Sequence, residues 1–316
     1  MNKPARASAR IPFRVQPMLA TLVGKPFDKP GWIYEEKYDG YRILAYKEGR
    51  QVTLLSRNAK DRTETFANVA KAVASLPQST LLLDGEVVAF DGRGVSRFQL
   101  LQDLQTEPKY AVFDCLYENG TDLRSAPLTV RRAALEKALR AASGQGATIF
   151  PSAILAPDGL KAFELAKRKG LEGLVAKDSS APYVERRSNK WLKVKVHQED
   201  EFIIAGYTAP SGARKHFGAL LLGAYDEGKL RYVGKVGTGF TAESLASLFR
   251  TFQAFVTRKA TVSNPPAEKG ITYLAPRLIA QIKFEEVTAD RKLRQPVFLG
   301  LRDDKEPREV SLPEPS

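Results

Sequence analysis

Between Trp32 and Ser56 the chain alternates apolar and polar residues, WIYEEKYDGYRILAYKEGRQVTLLS. Asp39-Gly40 and Glu48-Gly49-Arg50 fall where hairpin turns belong. Such alternation commits a segment to sheet, because a strand sends successive side chains to opposite faces. The same grammar recurs in LLLDGEVVAF (81–90, with an interrupting Asp84-Gly85), KYAVFDCLYENG (109–120), LEGLVAKD (171–178) and SNKWLKVKV (188–196). Helical spacing covers RTETFANVAKAVASL (62–76), which ends before Pro77, then FQLLQDLQ (98–105) and VRRAALEKALRAA (130–142). A further helix is capped by Asp158 and stopped by Gly170. After Val196 an acidic break, HQEDE, leads into EFIIAGYTAP, FGALLLGAYDEGKLRYVGKVGTGF and LIAQIKFEEVT, with one helix, TAESLASLFRTFQAFV. Many short strands around one helix predict a small barrel such as an OB-fold.

At 316 residues the chain suits two domains of ~100–200 residues each. Its 43% hydrophobic and 27% charged residues allow a packed core. No apolar run reaches the ~18 residues of a membrane span, so no membrane association is expected. The start, MNKPARASARIPFRVQP, has no apolar segment and reads as a flexible basic arm over residues 1–16. One cysteine, Cys115, forbids an intramolecular disulfide and fits a reducing cytosol. With only His197 and His216 beside it, a Cys/His zinc site is excluded. The net charge of +13 favours a polyanionic partner, nucleic acid being the usual one. That charge is skewed: up to residue 196 there are 32 Lys+Arg against 21 Asp+Glu, and beyond it 17 against 15.

Several stretches carry side chains able to do chemistry. In Glu35-Glu36-Lys37-Tyr38-Asp39-Gly40-Tyr41-Arg42, strand geometry points Glu35 and Lys37 the same way, at the mouth of a turn. A lysine there is a nucleophile if its amine is neutral, and partial burial with nearby cations lowers its pKa to that end. The plain alternative is a solvated hairpin. Ser56-Arg57-Asn58 reads as a turn bearing an arginine. Asp84-Gly85-Glu86 and Glu172-Gly173 each set a glutamate beside a glycine at a strand end. Converging on one pocket, two carboxylates suit Mg²⁺ in the company of phosphate; separately they are hairpin glutamates in water. Trp191, Lys193 and Lys195 share a strand face, which calls for an anion or forms a basic edge. Phe113, beside Asp114, either stacks on a base or fills core, and Cys115 reads as core. The tail RKLRQPVFLGLRDDK mixes Arg294, Arg302 and Lys305 with acids. Neither G-x-x-x-x-G-K-[ST] nor G-x-S-x-G occurs, which argues against P-loop and serine-hydrolase chemistry.

In this order the stretches resemble the covalent nucleotidyltransferases: ATP-dependent DNA ligases, RNA ligases and mRNA capping enzymes. Lys37-Tyr38-Asp39-Gly40-Tyr41-Arg42 matches that superfamily's K-x-D-G-x-R, and Ser56-Arg57-Asn58, Asp84-Gly85-Glu86, Phe113-Asp114, Glu172-Gly173 and Lys193-Val194-Lys195 follow as its later motifs. The likeness is to the ligase module of bacterial end-joining DNA ligases, through PMLATL, EFIIAGYT, FGALLLGAY and GKVGTGF. Arg62, Tyr273, Gln281 and Gln295 depart from the expected residues, all outside the nucleotide motifs.

The resemblance implies an α+β chain. A nucleotidyltransferase domain (ATP-grasp-like, antiparallel sheets flanked by helices) over 17–196 would precede an OB-fold domain over 197–316. It implies an ATP-dependent DNA ligase acting in DNA repair and recombination. Lys37 would take AMP from ATP, with Mg²⁺ or Mn²⁺ held by Glu86 and Glu172. Phe113 would stack on adenine and Glu35 would sit close to the base. Arg42 and Arg57 would contact ribose or phosphates, and Lys193 and Lys195 the α-phosphate. Arg294, Arg302 and Lys305 would align pyrophosphate. The implied partners are nicked or broken duplex DNA and end-joining proteins, met by a monomer at the nucleoid in a bacterial cytoplasm. The competing readings are an RNA ligase, a GTP-using guanylyltransferase and a non-catalytic OB-fold nucleic-acid-binding protein.

Overall fold

The computed structural model describes residues 11–312 except 103–105, 141, 143, 145 and 213. It divides into two compact units, Met1–Val196 and His197–Ser316. The first unit begins with β1 (Leu19–Leu22), β2 (Trp32–Glu36), β3 (Tyr41–Glu48) and β4 (Gln51–Ser56). Helix α1 (Ala67–Ala74), β5 (Thr80–Val88), α2 (Phe98–Gln102), β6 (Lys109–Glu118) and β7 (Thr121–Asp122) follow. The unit ends with α3 (Leu128–Leu139), β8 (Ile149–Pro151), β9 (Ile154–Ala156), α4 (Gly159–Lys169), β10 (Gly173–Asp178) and β11 (Arg187–Lys195).

Two sheets result. One runs β1-β11-β10-β2-β9; the other runs β4-β3-β5-β6-β7, with β8 beside β6. The second sheet buries one face against α1 and α3, where Val69, Val73, Leu135 and Leu139 meet Ile43, Leu83 and Cys115. Its other face carries Leu44, Tyr46, Leu82 and Phe113, which pack with Trp191 of the first sheet. The first sheet's remaining face takes α4, through Tyr34, Ala162 and Leu174. As expected, Asp158 caps α4, accepting bonds from the Leu160 and Lys161 N–H groups at 2.9 and 3.0 Å. Gly170 ends it in the left-handed conformation at φ 70°.

Three local expectations change. Asp39-Gly40 is not a hairpin turn, because β2 and β3 lie in different sheets and 37–40 crosses between them. Asp39 instead accepts the Phe98 N–H at 3.0 Å, fastening the start of α2. Gly40 is required there, since a Cβ would meet the Val87 carbonyl oxygen at 2.1 Å. Asp84-Gly85 does not interrupt its strand either; β5 runs through it and the register against β6 slips instead. Of the expected arm, residues 1–10 lie outside the described residues, as do 103–105 of the expected helix 98–105. Residues 11–16 pack rather than float: Val15 is buried and its N–H donates to the Tyr46 hydroxyl at 2.9 Å.

The second unit comprises β12 (Gln198–Thr208), β13 (Leu220–Asp226), β14 (Lys229–Val236), α5 (Ala242–Phe252), β15 (Val256–Thr257) and β16 (Ile271–Leu274). Strands β17 (Ile279–Phe284), β18 (Glu286–Val287), β19 (Leu293–Arg294) and β20 (Val297–Arg302) complete it. The long β12 pairs with β17 along its first half, then with β13 and β16. One strand shared in this way curls the sheet around a single core of Phe202, Ile204, Leu222, Val233 and Phe252. Thr241 and Ser244 form a capping box at the start of α5. Among the described residues no helix is long and apolar enough to cross a membrane.

Candidate active site

A cavity of about 170 Å³ opens in the first unit. Glu35, Lys37, Arg42, Arg57, Glu86, Phe113 and Lys193 all line it. These residues come from both sheets, so the strand crossing at 37–40 is what brings them to one place. Glu172, immediately before β10, reaches the same spot through an ion pair with Lys37. Lys195 shares the β11 face of Lys193 by alternation but is absent from the cavity wall.

Lys37 follows β2, and its backbone N–H donates to the Gly173 carbonyl at 3.1 Å. Its ammonium donates to Glu172 Oε1. Burial disfavours the charged amine, yet Glu172, with Asp39 and Glu86 behind it, outweighs burial and holds the pKa above its ordinary 10.5. The sequence suggested an amine made neutral by burial and neighbouring cations. In this structure carboxylates surround it instead, and it is a paired ammonium.

Glu35 is 1% exposed. Its Oε1 accepts from Arg132 of α3. Its Oε2 accepts from Ser152 Oγ at 2.5 Å and Lys177 Nζ at 2.8 Å. The Lys177 ammonium also lies 4.3 Å from the Phe113 ring centroid and 4.2 Å from that of Trp191. Burial pushes its pKa below the ordinary value, against the pull of Glu35.

Arg42 forms a two-pronged pair with Asp84, at 2.6 and 2.7 Å, and donates to the Met18 carbonyl at 3.2 Å. Burial opposes its charge, but Asp84 prevails and keeps the guanidinium protonated. Its Cζ stands 4.5 Å from the Phe113 centroid. Phe113 is therefore both core and cavity wall: it is 8% exposed and touched by two cations.

Sequence reading missed Lys177, Trp191 as a ring partner, and the arginines of α3. Arg131 and Arg132 sit next to one another in a helix otherwise rich in alanine and leucine. Both are buried.

No group of three or more His, Cys, Asp or Glu side chains among the described residues could hold a metal ion. Glu172 Oε2 is nevertheless buried with no hydrogen-bond partner, and Glu86 lines the same cavity. One or two carboxylates completed by phosphate oxygens and water is the usual Mg²⁺ arrangement, so these residues fit such an ion.

In the second unit, Arg294 pairs with Glu286 at 2.9 Å, and Arg302 with Asp304 at 2.8 Å. Arg302 also donates to Gln281 at 3.1 Å, and Lys305 pairs with Glu201 at 2.6 Å.

Comparison with known proteins identifies the class. The family described as ATP dependent DNA ligase domain matches residues 17–195, and the ATP dependent DNA ligase C terminal region matches 213–305. The chain belongs to the ATP-dependent DNA ligase family, a nucleotidyltransferase domain followed by an OB-fold. It is 40% identical over 312 residues to the multifunctional non-homologous end joining protein LigD of Pseudomonas aeruginosa, covering 95% of this chain and 37% of that protein. It is 32% identical to DNA ligase C1 of Mycolicibacterium smegmatis, covering 93% of this chain and 91% of that one. A structure of mycobacterial DNA ligase D complexed with ATP and MES is similar at TM-score 0.72 and 33% identity, over 95% of this chain and 98% of that one. The ligase domain of Mycobacterium tuberculosis LigD gives 0.53 at 33% identity, covering 94% and 97%. The chain spans well under half the length of the LigD proteins it matches.

Proposed function

We propose that this chain seals 5′-phosphate/3′-hydroxyl breaks in duplex DNA through a covalent lysyl-AMP. The observation carrying this reading is a single cavity that gathers Lys37, Glu35, Arg42, Glu86, Phe113 and Lys193. Lys37 sheds its proton and its nitrogen bonds to the α-phosphorus of ATP, while the bond from that phosphorus to pyrophosphate breaks. AMP then passes to the 5′-phosphate of the DNA end, freeing Lys37. The 3′-hydroxyl attacks that phosphate and expels AMP.

In this scheme Phe113 and Glu35 hold the base, and Arg42 and Arg57 serve the ribose and phosphates. Lys193 and Lys195 neutralise charge that builds on the α-phosphate. Mg²⁺ or Mn²⁺, held by Glu86 and Glu172, supplies further charge neutralisation at the phosphates. Arg294, Arg302 and Lys305 are assigned to the leaving pyrophosphate by family resemblance.

The basic first unit holds the DNA backbone, so affinity falls as salt rises. Similarity to LigD supports a place in bacterial end joining. In this reading the chain acts as a monomer beside other end-joining proteins in the cytoplasm. Labelled ATP and GTP, offered separately, test the reading, together with a nicked duplex. The expected result is covalent label from ATP and sealing, both lost in Lys37→Ala. Label from GTP alone would make the chain a guanylyltransferase instead, and sealing confined to RNA nicks would make it an RNA ligase.

A further inference from the structure

Helix α3 carries two adjacent buried arginines that reach different carboxylates. Arg131 grips Asp114, and Arg132 grips Glu35. Arg132 Nη2 also donates to the Ser152 carbonyl at 3.4 Å, and Ser152 Oγ donates to Glu35 Oε2 at 2.5 Å. The Glu35 carboxylate is thus tied on both oxygens, by Arg132 on Oε1 and by Ser152 and Lys177 on Oε2. A carboxylate oxygen has room for two donors, so Oε1 retains one acceptor position. Glu35 lines the cavity, whereas Arg132 does not.

We infer that Arg132 is a positioning residue for base selection: it fixes the free acceptor of Glu35 so that the cavity favours a purine bearing an exocyclic amine over one bearing an oxo group. This deepens the reading of the cavity as an ATP site and rests on it. An amine at purine position 6 donates to a fixed anion. An oxo group there turns its lone pairs toward the same anion and is repelled. Without Arg132 the carboxylate keeps only its Oε2 partners, Oε1 is free to swing, and the distinction weakens. The contact joins residues 97 apart in sequence, and Arg132 lies outside every motif read from the chain.

A purely structural brace would make a different prediction, since loosening the site would weaken every nucleotide alike. The test is single-turnover covalent labelling of the full chain across a range of concentrations of ATP, GTP and purine riboside triphosphate, which has no group at position 6. Arg132→Gln should raise the ATP concentration for half-maximal labelling by about tenfold to a hundredfold, the worth of a hydrogen bond to a charged group. The limiting rate and the requirement for purine riboside triphosphate should stay within about twofold, the signature of lost ground-state binding. Arg132→Lys, which keeps the charge, should recover part of the ATP preference. Parallel losses for all three nucleotides, or none, overturn the inference. Should Arg132→Gln fail to fold by circular dichroism, Ser152→Ala carries the test: selective loss of ATP preference supports the inference, and parallel or no loss overturns it. No label from ATP in the unaltered chain would overturn the proposed function itself. Label accompanied by parallel losses overturns the positioning role alone.

Discussion

Replacing Arg131 by methionine measures how far the wall of the cavity depends on one buried ion pair. Arg131 and Asp114 are both fully shielded from solvent. Two bonds join them, at 2.7 and 2.9 Å, and Nη1 also serves the carbonyls of Ala126 and Ala181 at 2.6 and 2.9 Å. Methionine preserves much of the volume but leaves a carboxylate without its cation and two carbonyls without their donor. Removing one side of such a pair costs about 3–5 kcal/mol. For a unit of this size each kcal/mol moves the midpoint by about 2–4 °C, so a drop of roughly 6–20 °C is expected. The sign of the pH dependence also follows. Burial pushes Asp114 above its ordinary 3.8, and Arg131 is the chief opposing group. In the variant that opposition is gone, so the folded state holds a proton that the unfolded state releases above about pH 4. Stability conferred by a raised carboxyl pKa is lost as pH rises, and the deficit relative to the unaltered chain should therefore grow from pH 5 to pH 8. Thermal melts followed by circular dichroism at both pH values supply the measurement. A deficit under about 1 kcal/mol at pH 8, or one that shrinks as pH rises, would refute the reasoning.

Without nucleotide, Lys37 should react with an amine-acylating reagent about tenfold faster per pH unit between pH 7 and 9, because its pKa lies above that range. Glu172→Gln should speed that reaction at fixed pH, since burial then acts with less opposition; peptide mass spectrometry reads both, and slower modification in the variant would contradict the pairing. Burial raises the pKa of the Cys115 thiol, so iodoacetamide should modify it only as fast as the chain unfolds. Modification at the rate of a free thiol under native conditions would place it elsewhere. Gly40→Ala sets a Cβ against the Val87 carbonyl and should cost at least about 1–3 kcal/mol, read as a lowered melting midpoint.

Much of the first unit was legible because its strands alternate and α4 carries both a cap and a stop. Period-two reasoning pointed Glu35 and Lys37 the same way, and both line the cavity, but so do Glu36 and Tyr38, because the chain leaves β2 after Glu36 and alternation stops there. What stayed hidden depends on partners distant in sequence. Asp39-Gly40 has the composition of a hairpin turn, and only the pairing of β2 with β10 and of β3 with β5 shows that it joins two sheets. The charge of Lys37 follows from Glu172, 135 residues away, so local composition gave the wrong sign for its shift. The 130–142 stretch was legible as a helix, but nothing in its local polarity reveals that two carboxylates wait beneath Arg131 and Arg132.

The central claim is that Lys37 becomes covalently attached to AMP. Intact-mass and peptide mass spectrometry of the chain after incubation with ATP and a divalent cation test it directly. One added adenylyl group on Lys37, removable by pyrophosphate and absent from Lys37→Ala, is the predicted result. An adenylyl group on any other side chain, or an unmodified chain that still seals nicked DNA, would contradict it.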